Sequence, residues 1–490
     1  MNDGIELLSP AGNVDKLKYC YTYGADAAYI GLKNFSLRVK ADNFYQDEYK
    51  KVQELKQKFP GKRLHCALNI SFHNDEIDRL ISEIEYFKQY PIDAFIVQDL
   101  GIVPILQKYF PDAELHLSTQ ASCMNREAVK MYKSIGFKRV VMGREASLKE
   151  IAEIKDAVPD MEIECFVHGA MCIAYAGRCL MSAYLNGRSA QSGFCSHTCR
   201  WDYDVMAPGD IGKTIAQSGD LVLREHKRPD EYFPVYEGEN FTAVLSSKDL
   251  CMIDHLAELK KAGVDSLKIE GRMKSVYYVA MITRAYRKAL DALEGKISDE
   301  QARPFIDELY KVSHRAFTTA FYFDKTEADK TVSGASDSPW ELAAEISSAV
   351  SEEQQQWILN KAAEMKKIRD DEYNGMCEQA KKAFELRVEK MPDKYLPYVL
   401  PKEGWKMYPL TALNMIDKNT ELELVSPDIN GKRITFDDFK LVNPNTGEVY
   451  NWVCADHPCV IYTGEEIPEG TLLRSKNPEY VEGKIRDTGR

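Results

Sequence analysis

The sequence predicts an α/β protein built on a parallel (β/α)8-type barrel, with a cysteine-rich insertion, a helical insertion and a small C-terminal β-barrel. Up to about residue 275, short apolar runs alternate with amphipathic helical stretches, a pattern typical of parallel strands connected by helices. Residues 327–397 are charged and have a helical pattern. After Pro401 the sequence is rich in strand patterns and turn signals such as Asn430-Gly431 and Thr463-Gly464.

Eight apolar runs are the predicted barrel strands, and helical patterns at 75–90, 127–135 and 147–158 separate some of them. The predicted strands are Glu6 to Ser9, Ala27 to Gly31, Leu64 to Asn69, Ala94 to Gln98, Leu115 to Thr119, Arg139 to Met142, Glu162 to His168 and Ser266 to Glu270. A ninth run, Phe241 to Ser246, is either a hairpin in the long insertion after the seventh strand or a barrel strand itself.

The predicted domains follow from these stretches. We expect a catalytic barrel at 1–322 with a cysteine loop at 168–200, a linker and helical insertion at 323–398, and a small β-barrel domain at 399–490. Within the predicted helical insertion, five apolar residues fall at helical spacing and form one apolar stripe: Trp357, Ile358, Ala362, Met365 and Ile368. Packing of the two helices of a hairpin explains this stripe better than a groove for a cofactor or a partner.

Four cysteines lie close together in the predicted loop after the seventh strand: Cys172, Cys179, Cys195 and Cys199. Gaps of six, fifteen and three residues separate them, unlike the paired tight turns of a zinc knuckle. Thiolates are soft, strongly donating ligands, so the cluster predicts a metal centre, with iron-sulfur favoured over zinc. The remaining alternative is four ordinary buried thiols, which the glycines of this segment make less attractive because a loop has little core to fill.

Charge and hydropathy restrict the location and the partners. The 490 residues contain no uninterrupted apolar run of membrane-spanning length, and the N-terminus has no basic and then apolar signal-peptide pattern. We therefore expect a cytoplasmic protein with no membrane partner. A net charge of −12 argues against general nucleic-acid binding, DNA included. A local basic patch at 268–288 is the candidate RNA surface, with a solvated helix face as the alternative.

Strand alternation identifies candidate site residues. Glu164, Phe166 and His168 are predicted to share one face of the seventh strand, which places Cys165 on the other and excludes it as a ligand. Polar residues end the strands at the barrel mouth where such enzymes carry their chemistry, as substrate contacts or as loop caps. Our candidate catalytic residues are Glu164, His168, Lys268 and Glu270, and our candidate substrate-binding residues are Asn69, Gln98, Gln120, Arg144, Arg272 and Lys274.

Several motifs carry a resemblance to a known family. The stretch Glu164-Cys-Phe-Val-His168-Gly-Ala-Met-Cys172, with Gly177-Arg-Cys179, resembles the defining motif of the collagenase-like peptidases of unassigned catalytic type, the U-class. Further matches are Leu7-Leu-Ser-Pro-Ala-Gly12, Ser118-Thr-Gln120, Ser246-Ser-Lys-Asp-Leu250 and Lys268-Ile-Glu-Gly-Arg-Met-Lys-Ser275. The resemblance covers residues 1 to about 322, and Ala320 departs from the glycine usual in the family.

The resemblance implies a 4Fe-4S cluster held by the four cysteines and an oxygen-independent hydroxylase. The substrate would be a tRNA wobble uridine, an rRNA cytidine or a quinone precursor. The architecture is most similar to the tRNA 5-hydroxyuridine branch, which implies prephenate as co-substrate, clamped by Arg272 or Arg144, and tRNA as partner. Because the chain is acidic overall, we expect a paralogous protein subunit or the C-terminal domain to supply further RNA-binding surface.

Two other functions stay open at this point. One is a peptidase, with a cluster cysteine as nucleophile and His168 or His197 as base. The sequence has no His-Glu-x-x-His motif and no Gly-x-Ser-x-Gly elbow, and ligation would occupy the thiol. The other is a non-catalytic RNA-binding or assembly factor.

Overall fold

The computed structural model describes two compact units, one ending at Ser338 and one spanning Pro339–Tyr480. The described residues are 4–32, 35–36, 42–172, 174–186, 188–190, 194–200, 247–323, 338–478 and 480. Backbone is also described for the short strands Val222–Arg224, Tyr232–Pro234, Tyr236–Glu237 and Thr242–Ala243.

The first unit is a closed barrel of eight parallel strands, as predicted. The barrel strands are β1 Glu6–Pro10, β2 Ala27–Ile30, β3 Arg63–Leu68, β4 Ala94–Val97, β5 Glu114–Leu117, β6 Arg139–Val141, β7 Glu162–Ala170 and β8 Ser266–Ile269. Strand β8 closes the barrel because it pairs with both β1 and β7, with Leu267 opposite Leu7 on one side and Cys165 on the other. Five buried residues from alternate positions of neighbouring strands form an apolar cluster: Leu8, Ala27, Tyr29, Ala67 and Ile96.

Helices surround the barrel, and polar caps define several of their starts. The helices of this unit are α1 Val14–Thr22, α2 Tyr49–Lys58, α3 Asn74–Ser82, α4 Ile84–Phe87, α5 Val103–Tyr109, α6 Arg126–Ile135, α7 Leu148–Ala157, α8 Met181–Asn186, α9 Leu256–Lys261, α10 Val276–Leu293 and α11 Asp299–Asp307. Asn13, Asn125 and Ser147 accept hydrogen bonds from amides of the first turns of α1, α6 and α7. Most residues of α10 are buried against its neighbours.

Additional short strands lie outside the barrel. Asp249–Cys251 pairs antiparallel with the end of β7, and Phe317–Thr318 extends this edge in parallel. Thr242–Ala243 pairs antiparallel with Tyr236–Glu237, so this part of the ninth apolar run forms a hairpin and not a barrel strand. The other residues of that run lie outside the described part of the chain.

The second unit is an antiparallel half-barrel sheet with two helices, α12 Glu352–Asn374 and α13 Glu378–Lys390. Its eight-stranded sheet has the order Lys432–Ile434, Leu422–Val425, Leu472–Lys476, Trp340–Ile346, Lys406–Ala412, Cys459–Thr463, Phe439–Val442 and Val449–Tyr450. Ile416–Asp417 and Trp452–Val453 form a separate pair.

The helical segment differs from the predicted hairpin in what it packs against. Ile358, Leu359 and Ala362 are buried in one cluster with sheet residues that include Met407 and Tyr462. Trp357 and Ile368 are exposed instead, and α13 buries none of its residues. An amphipathic stripe shows which face is apolar but does not identify the surface that covers it. The strand Trp340–Ile346 and both helices therefore belong to the C-terminal unit and do not form a separate insertion at 323–398.

No helix among the described residues is long and apolar enough to cross a membrane.

Candidate active site

A pocket of about 140 Å³ opens at the C-terminal ends of the barrel strands. Side chains from the strand ends form one side of it and the cysteine loop forms the other. The pocket lining contains all four predicted metal ligands and six of the ten other predicted site residues. Those six are Asn69, Gln120, Arg144, Lys268, Glu270 and Arg272.

The cysteine loop is tied to the barrel mouth by backbone contacts. The Ser122 hydroxyl donates to the Ala176 carbonyl at 2.7 Å. Gly177 has a φ of +76°, and a Cβ at this position would lie 2.2 Å from the Gln120 carbonyl oxygen. Only glycine tolerates this combination of left-handed backbone and close approach. Further along, the Ser196 amide donates to the Ser182 hydroxyl at 3.0 Å.

None of the four described cysteines is in a disulfide, and each is at least partly accessible, with Cys172 exposed and the other three half-buried. They face one pocket and therefore form a soft four-sulfur donor set, which suits an iron-sulfur cluster or zinc. Cys165 differs from them because it is fully buried and does not line the pocket. Burial raises the pKa of the Cys165 thiol to about 12, so it stays protonated and is a poor ligand.

Lys268 connects the pocket to a buried charge network. Its ammonium lies 2.6 Å from Glu164, whose other carboxylate oxygen accepts from Arg139 at 3.0 Å. Burial alone would raise the pKa of Glu164, but Lys268 and Arg139 outweigh it and hold the value at about 2. The ammonium also lies 4.6 Å from the centre of the Tyr29 ring. Glu164 itself does not line the pocket, but it contacts Lys268, which does.

Two buried histidines lie beside this network. The ligand atoms of His65, His116 and Glu164 are all within 4.8 Å of one another, a spacing that would suit a metal ion. However, both oxygens of the Glu164 carboxylate already accept hydrogen bonds, one from Lys268 and one from Arg139. The positive charges of these two side chains would repel a metal ion at this position. Burial lowers the pKa of both histidines, which keeps them neutral.

Two arginines approach the pocket from the ends of β6 and β8, the two strands that flank β7. Arg144 lies 3.4 Å from the Glu270 carboxylate, and its guanidinium stacks 4.0 Å from the centre of the Phe166 ring. Arg272 is buried and donates to the Ser36 hydroxyl. A Cβ at Gly31 would lie 2.1 Å from Arg272 Nη1, so this glycine makes room for the guanidinium.

Comparisons with known proteins identify the family of this chain. The family model described as Peptidase family U32 matches residues 12–332. The chain belongs to this family. It is 38% identical to "tRNA hydroxylation protein P" of Escherichia coli K12 over 346 residues, which are 66% of this chain and 76% of that protein. A Bacillus subtilis relative, "tRNA hydroxylation protein P1", is 39% identical over 65% of this chain and 70% of its own length. An Escherichia coli 23S rRNA 5-hydroxycytidine synthase is 35% identical over 68% of this chain and 47% of its own length.

His168 does not lie in the pocket of this U32 chain, contrary to the strand-alternation prediction. In β7, Phe166 pairs with Lys268 but His168 pairs with Ile269, so the register shifts by one residue. A bulge of this kind moves the following side chain to the other face. The His168 ring accordingly packs against Tyr286 and Phe317, with ring centres 5.6 and 5.5 Å away. Burial lowers its pKa to about 3.

Two other predicted substrate residues do not line the pocket. Gln98 donates to the Ser71 hydroxyl at 3.1 Å, and the Lys274 ammonium lies 5.2 Å from the Tyr278 ring centre. The predicted basic patch at 268–288 is also wrong as a continuous surface. Lys268, Arg272 and Arg284 are buried, so they are not available to a polyanion at the surface.

Sequence reasoning missed several lining residues of this U32 pocket. Tyr29 and Thr119 line it from β2 and from the turn after β5, and Tyr175 lines it from the cysteine loop. The alternation within β2 was the signal for Tyr29, since Ala27 and Tyr29 share one face. No pattern in the sequence singles out Tyr175, because its position depends on how the loop folds over the mouth.

Proposed function

We propose that this protein is an RNA hydroxylase that forms 5-hydroxyuridine at the wobble position of tRNA. The observation that carries the proposal is the convergence of four thiols with Lys268, Arg144 and Arg272 on one pocket at the catalytic end of a barrel. The names of the relatives support the substrate class, because two of them are tRNA hydroxylation proteins and the third forms 5-hydroxycytidine in rRNA.

The proposed cofactor is a 4Fe-4S cluster held by Cys172, Cys179, Cys195 and Cys199. Replacing hydrogen by hydroxyl at a pyrimidine carbon is a two-electron oxidation, so we propose that the hydroxyl donor, prephenate, is reduced by two electrons as its C–O bond breaks and hydrogen takes the place of the hydroxyl. A bound cluster would supply one-electron transfer in the pocket. The protein residues position the reactants. The pocket walls Tyr29 and Phe166 offer flat apolar surfaces on which a base can lie.

The proposed co-substrate is prephenate, a dicarboxylate. Arg272 and Arg144 present planar forks that suit a carboxylate, and Lys268 adds a third cation inside the pocket. Glu270 already pairs with Arg144, so an incoming carboxylate must replace this ion pair or bind Arg272 first. Holding two reactants between fixed charges lowers the entropic barrier to reaction.

The existing alternatives have less support. A cysteine peptidase that uses His168 as base would require that ring in the pocket, but it packs against Tyr286 and Phe317 on the other side of β7. The other candidate base, His197, does line the pocket beside the four cysteines, but a thiol that holds a cluster is not available as a nucleophile. We propose tRNA as the partner and the cytoplasm as the compartment.

Two measurements test the proposal. Anaerobically purified protein should be brown and contain iron and acid-labile sulfide, and dithionite should bleach it. A colourless protein with one zinc ion per chain would contradict the cluster. Mass spectrometry of tRNA nucleosides from a strain lacking this protein and any redundant enzyme should show loss of the 5-hydroxyuridine family. An unchanged nucleoside profile would exclude the proposed reaction.

A further inference from the structure

Exposed large apolar side chains are concentrated in the cysteine loop. Tyr184 is 88% exposed and Leu180 is 69% exposed, and Tyr175, Leu185 and Phe194 are each about half exposed. These five residues all fall between positions 175 and 194. A contiguous set of exposed apolar groups on a folded protein generally marks a binding surface.

The same segment is basic in an acidic chain. Residues 171–200 contain three arginines and no aspartate or glutamate, whereas the whole chain has a net charge of −12. Arg178 and Arg188 are exposed. We define the Cys-loop surface as Tyr175, Arg178, Tyr184, Arg188 and Phe194. Its composition, aromatic rings interleaved with guanidinium groups, matches proteins that bind single-stranded nucleic acid.

The Cys-loop surface reaches the pocket at Tyr175. Tyr175 is exposed and also lines the pocket, between Cys172 and Cys179 in the chain. The hydrogen bond from Ser122 to the Ala176 carbonyl fixes this part of the loop at the barrel mouth. An RNA strand that contacts Tyr175 therefore reaches the opening through which a base would enter.

We propose that the Cys-loop surface binds an unpaired RNA segment, with bases stacked on Tyr184, Phe194 and Tyr175 and phosphates contacted by Arg178 and Arg188. Unpaired bases can stack on aromatic side chains, whereas paired bases within an A-form helix cannot. Complementary charge favours RNA over a protein partner, because the loop offers only positive charges beside its rings. The buried cations at 268–288 cannot supply this contact. This inference rests on the proposed function, which it extends by naming the docking surface.

Binding of the holoprotein to a fluorescein-labelled anticodon stem-loop RNA, followed by anisotropy, tests the inference. Tyr184→Ala and Phe194→Ala should each weaken binding by about tenfold, the stacking contribution of one base. Arg188→Gln should reduce the slope of log K against log salt concentration by about one. Trp357→Ala, an exposed ring of the second unit, and Arg126→Gln, an exposed arginine of α6, are the matched controls and should bind like the wild type.

Wild-type affinity in the Tyr184→Ala, Phe194→Ala double variant would overturn the inference, provided that its iron content and circular dichroism match the wild type. Loss of a co-purifying protein in this variant with RNA affinity unchanged would also overturn it, and would assign the surface to a protein partner. The proposed function fails separately. Wild-type protein that binds RNA through this surface but forms no 5-hydroxyuridine would refute the reaction and leave the surface standing.

Discussion

The Lys268 ammonium and the Glu164 carboxylate lie 2.6 Å apart inside the barrel, and only Lys268 also faces the pocket. Both side chains are buried, and Arg139 shares the carboxylate. The carboxylate therefore pairs with Lys268 and shares Arg139 with Glu6 and Glu162, and this network holds the amine of Lys268 at the pocket wall. A buried pair of this kind contributes little net stability when intact but is costly to break.

Glu164→Gln should destabilise the barrel by about 3 to 5 kcal/mol, because it leaves the buried Lys268 without its carboxylate partner, whereas Arg139 keeps Glu6 and Glu162. Urea unfolding followed by circular dichroism measures the free energy. Glu85→Gln removes a carboxylate from an exposed pair with Lys88 and should change stability by no more than about 0.5 kcal/mol. Equal effects of the two substitutions would show that Glu164 does not hold the network together.

Replacing any one of the four loop cysteines by serine should weaken cluster retention by at least about tenfold. The reason is that losing even a residue that only hydrogen-bonds to a metal ligand lowers metal affinity by about that factor. Iron and sulfide per chain after anaerobic reconstitution and gel filtration provide the readout. Cys377→Ser is the matched control because this thiol is also exposed but lies before α13 in the second unit. Retention of full iron content in all four variants would remove these cysteines as ligands.

The barrel and its cysteine cluster could be predicted because their signals are local. Each barrel strand is a short apolar run, and the polar residues that follow, such as Asn69 and Gln120, line the mouth as expected. The position of His168 could not be predicted, because the bulge in β7 depends on its pairing with β8, about a hundred residues later in the chain. The pairing of Glu164 with Arg139 likewise depends on which strands become neighbours.

Arg272→Lys should raise the KM for a carboxylate co-substrate about 10- to 100-fold, with a smaller effect on kcat. The reason is that lysine cannot reproduce two parallel hydrogen bonds to a carboxylate. Steady-state kinetics with varied prephenate at saturating tRNA measure the change. Arg126→Lys on exposed α6 should leave both constants unchanged. A fall in kcat with unaltered KM would assign Arg272 to the chemical step and not to co-substrate binding.

His168→Phe should keep activity within about threefold and stability at pH 7 within about 1.5 kcal/mol, because the ring fills an aromatic site away from the pocket. The pKa of His168 is lowered to about 3 in the folded protein, so between pH 6.5 and 3 the unfolded chain binds the extra proton. The wild type therefore loses stability as the pH falls through this window, and the variant should lose less. The free energy of unfolding in urea, measured at pH 7 and pH 5 for both proteins, tests this difference. A variant that is folded but inactive would restore a catalytic role for His168.

Gly447→Ala should destabilise the second unit more than Gly404→Ala, although both glycines have nearly the same backbone, with φ of +74° and +75°. A methyl group at 404 meets nothing within 4 Å, so only the left-handed backbone opposes it, at about 1 kcal/mol. A methyl group at 447 would lie 2.4 Å from the Ala362 Cβ on α12. The resulting overpacking should lower the free energy of unfolding by about a further 1 to 3 kcal/mol, in addition to the effect of the left-handed backbone. Hydrogen exchange of amides in α12 measures the difference, and equal protection in the two variants would show that α12 does not pack closely against the turn at 447.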